Sequence, residues 1–155
     1  MEMGQIPKEV ELKGDLGGRL DGSPWSSKEL TGKVHVVFYV DPDEKDLNNE
    51  ASEALRKEKF PLEEYQTFGI TNMDATWLPN LVISAAIESK QERYPTTIMV
   101  KDYDKILVKE WNLADDNSDV LAFDKSGKLI FMRAGKLSPQ DIQKLIGLIR
   151  ENLNK

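Results

Sequence analysis

Residues 34–40 form a run of β-branched and aromatic side chains that is interrupted only by a histidine. Such a run predicts a central strand that is buried on both faces. Hydrophobic side chains then recur at helical spacing at Leu47, Ala51, Ala54 and Leu55, which predicts an amphipathic helix over residues 42–59. A second strand is predicted over residues 65–73 and a second helix over residues 78–94.

The segments on either side of this core are less regular. Residues 10–30 alternate short strand-like pieces with turns. Residues 97–100 and 106–111 flank a turn-like sequence at 102–105, so they are either the two arms of a small hairpin or a strand followed by an irregular excursion.

The C-terminal part begins with a hairpin whose turn is strongly marked. Residues 120–123 and 128–133 flank the turn Asp-Lys-Ser-Gly at 124–127. A final helix starts at Ser138 and carries one hydrophobic stripe, namely Ile142, Leu145, Ile146, Ile149 and Leu153. The order β–α–β–α, hairpin, helix predicts a mixed sheet with parallel crossovers, an antiparallel edge and helices on both faces. We expect residues 1–155 to form one domain.

Composition excludes several functions. The net charge is −6, and Lys and Arg are dispersed, so we expect no nucleic-acid partner. No apolar run approaches the ~18 residues of a membrane span. No phosphate-binding loop, dinucleotide motif or His-Glu-x-x-His sequence is present, so no cofactor and no metal centre of those types is expected. The chain contains no cysteine, which excludes thiol–disulfide exchange and thiol peroxidase chemistry.

Three segments carry a family resemblance. Residues 32–40 resemble the first core strand of the thiol peroxidase and thioredoxin-like reductase group, also called the AhpC-TSA-like superfamily. Residues 124–130 resemble its turn of the form Asp-Lys-x-Gly-Lys-Ile, and residues 134–138 with the last helix are similar to its C-terminal end. The resemblance implies a thioredoxin-like three-layer α/β/α sandwich.

A closer resemblance covers nearly the whole chain, from about Gly4. The sequence looks like the YtfJ family of bacterial envelope proteins along residues 65–67, 70–75, 88–90, 94–95, 111–113 and 120–155. The resemblance implies a periplasmic location and no established activity. No signal peptide is recognisable at the start of the chain, so we expect that the signal has been removed.

The resemblance also places the positions that carry redox chemistry in related enzymes. Their two cysteines fall near Asp43 and Asp46, and their cis-proline falls at about Ser118. All three positions depart from the enzyme pattern. Because a cis bond at a non-proline residue costs roughly 2.5–4 kcal/mol, we expect a trans peptide at Ser118.

Two acidic segments contain these positions, and in a thioredoxin-like fold we expect them side by side, since both flank the same end of the central strands. The first contains Asp41, Asp43, Glu44 and Asp46, and the second is residues 115–119. In the simplest interpretation Asp41 is an N-cap, Pro42 is the first helical residue and Glu44 closes a capping box. In the alternative, oxygen ligands from both segments converge on a divalent cation or serve as a carboxylate acid–base pair.

Among the remaining candidates, His35 is the only histidine and lies in the core strand, which favours a structural role. Trp25, Trp77 and Trp111 are predicted to pack in the core or at its edge, but Trp77 follows a strand end and would be a binding anchor if exposed.

We therefore expect a binding protein without thiol redox activity, with a protein partner in the cell envelope. The expected binding face comprises residues 41–46, 74–79 and 117–119, which we call the redox end; its candidate residues are Asp41, Asp43, Glu44, Asp46, Trp77, Asn117, Ser118 and Asp119.

Overall fold

The computed structural model describes residues 1–155 and contains eight strands and four α-helices. In chain order they are β1 (Glu11–Leu12), β2 (Gly17–Arg19), β3 (Trp25–Ser26), β4 (Val34–Val40), α1 (Asn49–Glu58), β5 (Tyr65–Asn72), α2 (Asn80–Arg93), β6 (Ile98–Asp102), α3 (Ile106–Trp111), β7 (Ser118–Phe123), β8 (Leu129–Ala134) and α4 (Pro139–Leu153).

Six of the strands form one mixed sheet in the order β2-β6-β5-β4-β7-β8. Strands β4, β5 and β6 are parallel, and α1 and α2 make the crossovers between them. The pairs β4–β7, β7–β8 and β2–β6 are antiparallel. The sequence prediction of a mixed sheet with an antiparallel hairpin and a C-terminal helix is confirmed.

Strand β4 lies in the middle of the sheet, between β5 and β7, and both of its faces are apolar. Val34, Val36 and Phe38 belong to the hydrophobic cluster that α1 and α4 cover. Val37 and Tyr39 point to the opposite face, where the N-terminal segment and α3 complete the core. This alternation buries both sides of the strand, as the run of apolar residues predicted.

Helix α2 lies on the same face of the sheet as α1 and α4. Phe38, Gly69 and Met99 are neighbours in register on β4, β5 and β6 and therefore share a face. Met99 packs with Ile83 and Ile87 of α2.

The first helix begins later than the sequence predicted. Residues 42–44 form a separate 3₁₀ turn, and α1 starts only at Asn49. Asp41 does cap that turn, because its side chain accepts a hydrogen bond of 2.8 Å from the Asp43 amide. Glu44 makes no reciprocal bond, so the predicted capping box is incomplete.

Of the two alternatives for residues 97–111, the hairpin is wrong: a strand is present at residues 98–102, and the excursion that follows it contains helix α3 at residues 106–111, which the sequence did not predict. The buried Asp102 carboxylate accepts hydrogen bonds from the amides of Ile106 at 2.9 Å and Leu107 at 3.1 Å. It thereby satisfies two amides that have no partner within the helix and stabilises a helix too short to form alone.

The remaining local predictions are settled by burial. His35 is buried and stacks on Phe68 with ring centroids 5.5 Å apart, and burial lowers its pKa to about 4. Trp25 and Trp111 are buried in the core.

The chain contains no cis peptide bond, so the bond at Ser118 is trans. No helix is both long enough and apolar enough to cross a membrane.

Candidate functional site

The redox end lies where β4 ends and β7 begins. Val40 and Ser118 are register partners on these antiparallel strands. Directly beyond them, the Asp41 amide donates a hydrogen bond of 2.9 Å to the Asn117 carbonyl. The two acidic segments are therefore adjacent, as the sequence predicted.

Asn48 links the elements beneath this end. Its Nδ2 donates to Ser118 Oγ at 2.9 Å and to the Gly135 carbonyl at 3.1 Å, and its Oδ1 accepts from the Leu137 amide at 2.9 Å. One buried amide thus joins the start of α1 to β7 and to the segment before α4. No local sequence pattern indicates this role, because the partners of the Asn48 side chain lie at least 70 positions away in the chain.

Three of the predicted site residues are buried. Asp41, Ser118 and Asp119 are 3%, 1% and 2% exposed, so their side chains face the interior. Burial raises the pKa of Asp41, and the neighbouring Asp116 carboxyl raises it further. Burial also raises the pKa of Asp119 to about 6. The Oδ1 of Asp119 accepts from the Ala114 amide, whereas its Oδ2 has no partner.

The other predicted acidic residues are more accessible. Asp43 is exposed, Glu44 is partly exposed, and Asp46 is exposed and accepts a hydrogen bond of 2.9 Å from Lys45. Asn117 is partly exposed and bonds the Ser118 amide. No group of three or more histidine or acidic side chains is arranged to hold a metal ion.

A hydrogen-bond chain connects these acids to the loop after β5. Asp115 accepts from Asn72 Nδ2 at 3.0 Å and from Lys105 Nζ at 3.1 Å. Asn72 Oδ1 in turn accepts from the amide of Asp74 at 3.1 Å. The loop that carries Trp77 is therefore anchored to the acidic segment at residues 115–119.

The two most exposed large apolar side chains of the molecule, Trp77 and Leu81, lie in this loop and just after it, and the exposed Val82 follows Leu81 in the chain. Trp77 is 87% exposed, Leu81 82% and Val82 52%. They lie within six positions of one another, at the start of α2 and just before it. We call these three residues the Trp77 surface. The sequence had predicted a binding anchor at Trp77 on the condition that the indole is exposed, and that condition is met.

The sheet order and the helices on both faces define a thioredoxin-like protein, and the absence of cysteine removes that fold's thiol chemistry. Solved structures agree on the fold. A thiol-disulfide isomerase from Corynebacterium glutamicum has a TM-score of 0.69 at 14% identity, covering 98% of this chain and 97% of its own. The thioredoxin domain of a thiol-disulfide oxidoreductase from Bacteroides vulgatus has a TM-score of 0.67 at 16% identity, covering 96% and 97%.

The family follows from the sequence. The family model described as "Bacterial protein of unknown function (YtfJ_HI0045)" matches residues 7–152, and the chain belongs to this family. The protein YtfJ of Escherichia coli K12 is 29% identical over 133 residues, which are 83% of this chain and 72% of the relative. A Haemophilus influenzae protein is 37% identical over 131 residues, 81% and 70% of the two chains. These relatives confirm the family that the sequence resembles.

Proposed function

We propose that this protein is a binding module of the cell envelope and that its Trp77 surface docks a segment of a partner protein. The observation that carries the proposal is the 87% exposure of the Trp77 indole, four positions before Leu81, which is 82% exposed. Monomeric proteins seldom leave contiguous apolar side chains in water, and such patches mark interaction sites. Tryptophan is also enriched among the residues that contribute most to binding.

Charge around the Trp77 surface indicates the kind of partner. Asp43, Asp74 and Asp116 are exposed carboxylates at this end of the sheet. Lys105, which is close enough to Asp74 and Asp116 to interact with their charges, is engaged in an ion pair with Asp115. A partner segment with Lys or Arg beside an apolar side chain would complement both features, since complementary charges favour encounter and orientation.

The buried residues of the redox end hold the loops of the proposed interface in place and do not contact the partner themselves. Asp41, Ser118 and Asp119 are too buried to contact a partner. They hold the two acidic loops together through the Asn117 carbonyl, the Asn48 side chain and the Ala114 amide. The contacts themselves fall to Trp77, Leu81 and the exposed carboxylates.

A periplasmic location is part of the proposal and is supported by the resemblance to envelope proteins of the YtfJ family. Osmotic-shock fractionation of the native host, followed by immunoblotting, tests it. We expect the protein in the periplasmic fraction together with a periplasmic marker. Recovery with a cytoplasmic marker would contradict the location.

Site-specific photocrosslinking in the native host tests the interface. A photoreactive amino acid replaces Trp77 in one variant and Lys144 in another. Lys144 is exposed on α4 and belongs to neither the redox end nor the Trp77 surface. We expect a discrete adduct from position 77 and none from position 144. No adduct at position 77, or the same adduct from both positions, would refute the proposed interface.

A charge reversal examines the chemistry of the partner. Asp74→Lys, combined with the photoreactive residue at position 77, is expected to lower the adduct yield, because it repels a basic segment. Lys144→Glu in the same background is the matched control and should leave the yield unchanged. An adduct that is insensitive to Asp74→Lys would exclude a basic partner at this end.

A further inference from the structure

A cavity of about 470 Å³ lies between α1 and α2 on the sheet. Small-molecule sites in proteins are commonly about 300–1,000 Å³. Its apolar lining comes from three strands and two helices: Phe38, Gly69 and Met99 on the sheet, Leu55 on α1, and Ile83 and Ile87 on α2. The lining follows β5 from Tyr65 to Thr71, a distance of about 20 Å at the usual strand rise, so the cavity is elongated.

Gly69, in the middle of β5, leaves space at the base of this cavity because it has no side chain. Gly69 has an ordinary strand conformation, so its backbone does not require glycine. A Cβ built at this position would lie 2.9 Å from Met99 Sδ. A strand glycine of this kind often marks a place where a ligand approaches the backbone.

The cavity is cationic although the protein is acidic. Its lining includes five basic side chains and no carboxylate, while the whole chain has a net charge of −6. The basic residues are Lys45, Arg56, Lys59, Lys90 and Arg93. Glu53, which is outside the lining, pairs with both arginines, at 2.9 Å and 2.8 Å.

Lys90 is the basic residue best placed to receive an anion. Its side chain is partly buried, and its Nζ donates to the Lys45 carbonyl and, at 3.4 Å, to Asn49 Oδ1. Both acceptors are neutral, and Lys90 forms no salt bridge within the chain. The nearby Asp46 carboxylate attracts Lys90 but is itself paired with Lys45 at 2.9 Å. A partly buried ammonium group with no carboxylate in direct contact favours the arrival of a negatively charged group.

Polar contacts join the two helices that border the cavity. Glu53 of α1 accepts from Arg93 and from Tyr94 Oη at 2.9 Å, so polar contacts tie the two helices together at one end of the cavity. A narrow, single-chain ligand suits an elongated cavity whose bordering helices are joined in this way.

We propose that this cavity binds a single-chain aliphatic carboxylate, with its hydrocarbon chain over Gly69 and its carboxylate at Lys90. The aliphatic walls of Leu55, Ile83 and Ile87 suit a methylene chain. The ammonium group of Lys90, which has no carboxylate in direct contact, selects an anionic head over a neutral or cationic one. This site is distinct from the Trp77 surface and stands independently of the proposed protein partner.

An NMR titration of the full chain with dodecanoate, below its micelle concentration, tests the proposal. We expect saturable amide shifts on α1, α2 and β5, with α4 unaffected. Dodecyltrimethylammonium has the same chain and the opposite charge and is expected to produce no saturable shift at these positions. No saturation with dodecanoate, or equal binding of both amphiphiles, would overturn the proposal.

Two lysine variants separate a specific head-group contact from general attraction to positive charge. Lys90→Gln is expected to weaken dodecanoate binding about tenfold, because a charge-assisted hydrogen bond is lost. Lys57→Gln removes an exposed charge from α1 outside the cavity and should leave the affinity unchanged. Equal affinities of wild type and Lys90→Gln would remove Lys90 from the site and contradict the proposal.

Filling the cavity gives an independent test. Gly69→Val places methyl groups over the floor, and Ser52→Leu fills the space from α1, where leucine is also a good helix former. Both variants are expected to lose saturable binding of dodecanoate while their amide spectra remain those of a folded protein. Because Gly69→Val also crowds Met99, Ser52→Leu decides the test if Gly69→Val unfolds. Undiminished binding by folded Ser52→Leu would refute the proposed location.

Discussion

Helices α1, α2 and α4 cover one face of the sheet, and they cover its two halves to different degrees. Over β7 and β8, α4 buries four of the five side chains of its hydrophobic stripe, namely Ile142, Leu145, Ile146 and Ile149. On the other side of α1, α2 buries only Ile83 and Ile87 and leaves Leu81 and Val82 exposed. One helix therefore closes its half of the core, whereas the other leaves a cavity beside it.

The strands beneath the helices differ in the same sense. Under α4, Val36, Ala122 and Phe131 are at most 1% exposed and form a continuous apolar surface. Between α1 and α2, the corresponding positions of β5 are Thr67 and Gly69, which are only partly buried. A close-packed interior requires apolar volume from both layers, and here neither layer supplies enough.

This difference shows that the space between α1 and α2 is less densely packed than the core beneath α4. Both proposed binding features belong to α2: the Trp77 surface at its start and the cavity along its inner side. The half of the face covered by α4 provides the stability on which the open half depends. Substitutions in the two halves should therefore have very different effects.

The largest expected effect is in the closed half. Leu145→Ala removes a fully buried side chain and should lower the free energy of unfolding by about 4 kcal/mol. Ile87→Ala should lower it by less than about 2 kcal/mol, because its side chain already borders open space. Urea unfolding of both variants measures the difference. Equal losses of free energy would show that the two halves of the sheet face are equally well packed.

The next largest effect is expected at the junction beneath the redox end. Asn48→Ala leaves the Leu137 amide and the Gly135 carbonyl without their partner and should lower the free energy of unfolding by about 3 kcal/mol. Asn49→Ala is the neighbouring control, and its loss should stay below about 1 kcal/mol because Asn49 bonds only partly exposed or exposed groups. Similar losses for both would show that Asn48 does not hold this end together.

Asp119 should make stability depend on pH. Its pKa is raised by burial to about 6, so the folded state binds more protons than the unfolded state between pH 4 and 6. Stability contributed by this group is therefore lost as the pH rises through that window. Asp119→Asn is expected to raise the free energy of unfolding at pH 7 by about 2 kcal/mol and to have little effect near pH 4. Unfolding curves at both pH values test this, and a stabilisation that is equal at both would contradict it.

The smallest effect is expected on the Trp77 surface. Trp77→Ser removes a side chain that is 87% exposed, so the free energy of unfolding should change by no more than about 0.5 kcal/mol. Trp111→Ser, a change of the same type in the core, provides the contrast and should be strongly destabilising. A large loss for Trp77→Ser would mean that the indole serves folding rather than binding.

Local sequence patterns predicted the main elements of the fold well. The apolar run of β4 and the stripe of α4 each specify one structure, and the turn at residues 124–127 specifies a hairpin. The start of α1 and the whole of α3 were missed, because both depend on buried side chains from elsewhere. Asn48 is held by partners on β7 and before α4, and the amides of α3 are capped by Asp102.

The candidate site was predictable only in part. Its position at the end of β4 and the proximity of the two acidic loops follow from strand order. The burial of Asp41, Ser118 and Asp119 could not be predicted, because it depends on how the loops fold over the sheet. The cavity was also beyond prediction, since the spacing between α1 and α2 is set by tertiary contacts such as that of Glu53 with Arg93.

The openness of the space between α1 and α2 is tested most directly by comparing the free energy of unfolding of Ser52→Leu with that of Ser89→Leu. Both changes raise helix propensity equally, but only Ser52 lines the cavity, whereas Ser89 is exposed on α2. If the space between α1 and α2 is open, Ser52→Leu should be the more stable variant by about 1 kcal/mol, because its side chain becomes buried without strain. A Ser52→Leu protein less stable than Ser89→Leu would show that this half of the core is already filled.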